Sequence, residues 1–180
     1  MAIDRAAFIR HLEENGGDLF PDGVTEAQKR GLSCKLDVWE GGIHVPGFMN
    51  WPGTIPARQV QSQVHIVDWF PTLAEWTGAK IPKGHHLDGK SIAKVVKDAK
   101  ASSPHESYYW KLGNRNSQWV MREGDWKLYA KARENVRPKG IPEMNKDDRK
   151  QFLVNLSKDP GEKRNWAKEH PAELKRLQDL

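Results

Sequence analysis

Hydrophobic positions along this chain predict short helices, loops and one interrupted strand through about residue 100, then alternate with polar neighbours at period two. Between residues 3 and 14, Ile3, Ala6, Ala7, Phe8, Ile9 and Leu12 stand among charges. They predict a short amphipathic helix with Asp4 as N-cap and Gly16-Gly17 as its stop. Residues 15–34 are rich in Gly, Pro, Asp and Asn and read as loop. Residues 43–51 predict a strand interrupted at Pro46, because proline cannot donate to a ladder, and Trp51-Pro52-Gly53 predicts a turn. Residues 60–67 read as a short strand or an extended entry into a helix. That helix has Asp68 as N-cap, Pro71 in its first turn, Phe70, Leu73, Ala74 and Thr77 on one face, and Gly78 as its end. A second short helix, from about Ser91 to Lys97, turns Ile92, Val95 and Val96 inward, and the polar stretch from Lys97 to Glu106 reads as a linker.

The second half predicts a small antiparallel sheet. Tyr108-Tyr109-Trp110 opens it, and Gln118–Met121 and Trp126–Tyr129 flank a turn at Arg122-Glu123-Gly124-Asp125. Period two puts Trp119 and Met121 on one face, and Trp126 and Leu128 together on another. Residues 130–150, charged and carrying Pro138 and Pro142, read as a mobile loop. Phe152–Leu156 predicts a last strand, and Ser157-Lys158-Asp159-Pro160-Gly161 a turn. A closing helix from about Pro171 carries Leu174 and Leu177 at i, i+3.

Composition narrows the function classes. With 29 Lys and Arg against 24 Asp and Glu, the net charge of +5 is scattered rather than gathered into a stripe. No zinc-finger spacing or RNP-like segment accompanies it, so nucleic acid is not the expected partner. The single cysteine, Cys34, excludes an internal disulfide and cannot by itself build a zinc site. No apolar run approaches the ~20 residues a membrane helix needs. Met1-Ala2-Ile3-Asp4-Arg5 has no apolar signal core, so the chain as written is expected to stay where it is made. Eight tryptophans suit either a core or a sugar-facing surface. Lys35, four residues before Trp39-Glu40-Gly41-Gly42, stands beside a turn whose glycines permit close approach of backbone to a ligand. Its ammonium is either a compact anion-binding charge or a solvated surface group.

The run Lys35-Leu36-Asp37-Val38-Trp39-Glu40-Gly41-Gly42-Ile43-His44-Val45-Pro46 resembles the sulfatase segment written G-K-G-x-x-W/Y-E-G-G-I-R-V-P. Trp51-Pro52-Gly53-Thr54-Ile55-Pro56-Ala57 is similar to W-P-G-x-I-x-A, and Asp68-Trp69-Phe70-Pro71-Thr72-Leu73 to D-x-x-P-T-L. Leu87-Asp88-Gly89-Lys90-Ser91 resembles L-D-G-x-S. Arg122 to Leu128 resembles R-D-G-D-W-K-L, and Asn155 to Glu162 resembles D-L-x-x-D-P-G-E. Any one of these is weak; together, in order, they are specific.

The resemblance implies an α/β fold: the C-terminal part of an alkaline-phosphatase-like sulfatase domain plus a small antiparallel-sheet lobe with a C-terminal helix. Residues 1–100 would belong to the large domain, with 1–31 atypical, and 101–180 to the small lobe. It implies a sulfuric ester hydrolase acting on sulfated carbohydrates or aryl sulfate esters, with Lys35 contacting the sulfate. It also implies a formylglycine nucleophile and a divalent cation, commonly Ca2+, held by carboxylates and an Asn.

The departures bear on activity. No Cys or Ser here opens C/S-x-P/A-x-R, so the formylglycine residue has no precursor in these residues. The family's early metal aspartates have no counterpart, and the later Asp-Asn-Gly is matched only by Glu14-Asn15-Gly16. Glu14 and Asn15 are oxygen donors suited to calcium, yet the same residues read equally as a helix end capped by Asn-Gly. His44 stands where the family usually has Arg. The expectation is a C-terminal sulfatase segment, inactive alone, whose partner is the missing N-terminal half and whose apolar members Val45, Phe48, Phe70 and Leu73 are left uncovered. A noncatalytic module binding sulfated glycans through the Trp-rich lobe, and a degenerate gene product, are the alternatives.

Overall fold

The computed structural model describes residues 38–45, 47–98, 100–114, 117–132 and 144–180. The helix expected over residues 3–14 and the loop over 15–34 lie outside them. Two compact units divide the described chain. One is Phe48–Glu106; the other joins the residues around Trp39 to everything from Ser107 onward.

The second of these units is built on a four-stranded antiparallel meander, β1 (Ser107–Leu112), β2 (Gln118–Glu123), β3 (Trp126–Ala130) and β4 (Gln151–Asn155), paired in that order. All four strands fall where the alternation places them. The β2–β3 turn is tighter than expected: strand pairing runs to Glu123↔Trp126, and Gly124 takes the positive φ of 54° that the turn requires. The register sets Met121 opposite Leu128 and Leu128 opposite Leu153. Trp119, Met121, Trp126 and Leu128 therefore share one face rather than two. Onto that face folds α5 (Pro171–Gln178), with Pro171 in its first turn and Leu177 buried against Leu128 and Leu153.

The opposite face, carrying Trp110, Val120, Tyr129, Phe152 and Val154, is covered by Val38 and Trp39. A sheet buried on both faces explains why β3 and β4 are so uniformly enclosed. Asn155, the acceptor of a glycosylation sequon in sequence, is buried, and its side-chain oxygen accepts from Ser157 Oγ at 2.7 Å. Part of the expected loop over 130–150 is ordered instead. Asn145 accepts from the N–H groups of Asp147 and Asp148 and caps the single-turn helix α4 (Lys146–Lys150).

The expected strand over 43–51 does not form. Glu40–Ile43 makes a helical turn, α1, and none of residues 44, 45 and 47–50 joins a ladder. Val45 and Phe48 stand exposed there.

In the Phe48–Glu106 unit, Trp51 accepts from Thr54 and Ile55 in the predicted turn. The extended entry, rather than a strand, leads through a 3-10 turn (Ile66–Asp68) into α2 (Trp69–Thr77), which Gly78 ends at φ 70°. Asp68 is the N-cap residue of α2, as expected, but its side chain makes no capping hydrogen bond to that helix. Its carboxylate reaches back to the His65 N–H, because the fully buried side chain is drawn into a polar joint. That joint unites three stretches of sequence. Asp68 accepts from His65 N–H at 2.7 Å and Lys90 N–H at 3.0 Å, and lies 2.6 Å from His105 Nε2. Thr72 Oγ1 donates to the Asp68 carbonyl and accepts from Ile92 N–H, tying α2 to α3 (Ala93–Lys97). Gly89 lies so close that a Cβ would sit 2.0 Å from the Val67 carbonyl oxygen, so no side chain fits there. α2 turns Thr72 and Ala74 inward and leaves Phe70 and Leu73 exposed, continuing Ile66, Val67, Val64 and Val60. The uncovered apolar members expected from sequence are thus uncovered.

Candidate functional site

The substrate-contact candidate Lys35 and the metal candidates Glu14 and Asn15 all lie outside the described residues. Among the described residues, no group of three or more His, Cys, Asp or Glu is placed to hold a metal ion. No helix among them is long and apolar enough to cross a membrane. What the structure does show is how the turn immediately after Lys35 is held.

Trp39 begins it. Its indole is 1% exposed, stacks on Tyr129 at 4.2 Å between ring centroids and meets Phe152 edge-on at 5.4 Å. Aromatic pairs in these geometries contribute beyond the area they bury. The next residue, Glu40, is drawn into a buried charge network. Lys127 Nζ on β3 lies 2.6 Å from Glu40 Oε1 and 3.1 Å from Glu162 Oε1. Glu40 Oε2 stands 3.1 Å from His44 Nδ1 and 3.5 Å from Arg122 Nη1. The Glu40 N–H donates to Glu162 Oε2 at 2.8 Å. The Tyr129 hydroxyl bonds Glu162 Oε1 and also lies 3.4 Å from the Val38 carbonyl oxygen.

The network places one lysine between two carboxylates in a space that excludes water, and the two respond differently. Burial opposes the charge of Glu40, but Lys127, with His44 and Arg122, outweighs it and holds this carboxyl well below the usual range. At Glu162 burial is the strongest influence and raises the pKa. Lys127 opposes the rise and the charge of Glu40 adds to it. Glu40 is therefore the ionised partner, and Glu162 is the group that retains a proton more readily. Glu162 also occupies the left-handed region, with φ 53°, a conformation that costs a non-glycine residue energy. Such a residue persists where its surroundings over-determine it, and Glu162 is fully buried with three partners.

Reasoning from sequence missed Lys127 and Glu162. The signal for Lys127 was positional. It alternates with Trp126 and Leu128, so it shares a face with Tyr129 in a strand covered on both sides. For Glu162 the only signal was its place at the end of Asp159-Pro160-Gly161-Glu162.

A four-stranded antiparallel sheet with a C-terminal helix on one face thus holds the Trp39-Glu40-Gly41-Gly42 turn on the other. Residues 30–178 match the family described as N-sulphoglucosamine sulphohydrolase, C-terminal. The chain belongs to the sulfatase family, of which it carries the C-terminal region. It is 32% identical over 124 residues to human arylsulfatase D, covering 66% of this chain and 21% of that protein. It is 30% identical over 176 residues to a sulfatase of Formosa agariphila, covering 95% of this chain and 30% of that one. The chain thus spans less than a third of the length of these relatives. A solved Bacteroides thetaiotaomicron structure, associated with metabolism of multiple glycosaminoglycans, superposes with a TM-score of 0.62 at 25% identity. It covers 83% of this chain and 31% of the other.

Proposed function

We propose that the chain serves as the C-terminal segment of a sulfuric ester hydrolase acting on sulfate esters, sulfated sugars among them. In this reading Lys35 contacts the sulfate, and the nucleophile and the cation are supplied by an N-terminal sulfatase portion. The observation that carries the reading is the family match across residues 30–178. The family's description and the structural neighbour's association with glycosaminoglycan metabolism support the sugar class. In the alternative reading, a glycan-binding lobe built on tryptophans, Trp166 is not an open platform, because Arg164 lies 4.5 Å over its ring.

Sulfate-ester cleavage needs a nucleophile, charge stabilisation on the sulfuryl oxygens and a proton for the leaving oxygen. The residues of this chain supply a cation for the second role. The purified chain, assayed with calcium on an aryl sulfate and on glucosamine 6-sulfate, is expected to show no turnover. Turnover that disappears in Lys35→Ala would overturn the division of roles.

The uncovered face formed by Ile66, Phe70 and Leu73, spaced i, i+4, i+7, is where the N-terminal portion would pack. Without it the chain is expected to associate with rising concentration in light scattering, and Phe70→Glu is expected to reduce that association. A monodisperse monomer at all concentrations would count against this assignment of the face.

A further inference from the structure

We propose that Glu162 is a positioning residue for the sulfate-binding turn: the sheet lobe clasps Val38–Glu40 through it and thereby sets the anion affinity of the adjoining Lys35. This deepens the reading above and rests on its assignment of Lys35. Two residues, Leu36 and Asp37, separate Lys35 from Val38, so a fully extended tether spans about 11 Å at most. Whatever fixes Val38–Glu40 limits where Lys35 can reach.

The clasp acts on the backbone as well as on side chains. Glu162 Oε2 accepts from the Glu40 N–H across 122 residues of sequence. Its Oε1 bonds Lys127 and the Tyr129 hydroxyl, which in turn lies against the Val38 carbonyl. A side chain that served packing alone would not need to be ionisable, fully buried and held in a left-handed backbone conformation. The backbone strain places the carboxyl where it reaches both the turn and β3. The partners of Glu162 are Lys127, Tyr129 and the Glu40 N–H, so its influence on substrate would run through Val38–Glu40.

Two variants separate positioning from general stability. Glu162→Gly removes the clasp while relieving the left-handed backbone, which glycine adopts freely. Glu162→Gln keeps a side chain able to accept from the Glu40 N–H. Amide hydrogen exchange on the full chain, with and without inorganic sulfate, is the measurement. In Glu162→Gly, exchange of peptides spanning Val38–His44 is expected to rise at least about tenfold, with the β1–β4 amides unchanged. Sulfate is expected to slow exchange at that turn in the parent chain, with an affinity about tenfold weaker in Glu162→Gly and largely restored in Glu162→Gln. Equal exchange at the turn in all three proteins, or a rise spread evenly over the sheet, overturns the clasp. A turn that loosens as expected while sulfate has no effect on the parent chain overturns instead the assignment of Lys35, and with it the role in binding.

Discussion

Lys127→Met is expected to destabilise the sheet unit by about 3–5 kcal/mol near pH 8, the usual cost of leaving buried charge without its partner. Lys127 is fully enclosed and is the cation nearest to both Glu40 and Glu162. Methionine fills the aliphatic volume but leaves two carboxyls facing each other. The pH dependence gives the stronger check. In the parent chain Glu40 is depressed below its ordinary 4.5, so its contribution is present above that pH and is lost as pH falls through the lowered value. Glu162 is raised from 4.5, so its contribution is complete below that pH and is lost as pH climbs through the raised value. The two oppose each other, and the parent sheet unit is expected to be most stable under mildly acidic conditions. Without Lys127 both groups favour their protonated forms. The penalty of Lys127→Met should therefore shrink steadily as pH is lowered toward 4.5. Urea unfolding followed by tryptophan fluorescence at several pH values measures this. A loss under about 1 kcal/mol at pH 8, or one that does not vary with pH, would be incompatible with a buried ion network.

Trp39→Ala is expected to cost a comparable ~3–5 kcal/mol, the range for deleting a large aromatic side chain from a packed site. Trp39 fills the face of the sheet opposite α5 and touches both Tyr129 and Phe152. The cavity would open where the W-E-G-G turn meets the sheet, so the same substitution should also release Glu40 from Lys127. Trp39→Phe retains a ring over Tyr129 and is expected to lose less than half as much. Equal losses for the two would show that the stack contributes little, and chemical denaturation of the three proteins side by side decides it.

The legible parts of the fold were those in which a local pattern admits one structure. Period two in Tyr108–Trp110, Trp119–Met121, Trp126–Tyr129 and Phe152–Leu156 placed the strands. Proline early in α2 and α5, with glycine after α2, placed those helices. The failures lie where a local pattern meets a tertiary demand. Residues 43–51 have strand-forming side chains, yet none of the described ones joins a ladder with another described strand. Asp68 has the chemistry of an N-cap, but one carboxylate cannot cap α2 while also receiving His65, Lys90 and His105.

Family membership, the order of the motifs and the missing nucleophile motif were determined by the sequence alone, because each is a matter of residue identity along the chain. The meeting of those motifs was decided only in three dimensions. Glu40, Lys127 and Glu162 are separated by 87 and 35 residues, and nothing local to any of them signals the others. Each reads alone as a solvated charge. They become a network because both faces of the sheet are covered, water is excluded, and a buried charge persists only where an opposite charge is folded against it.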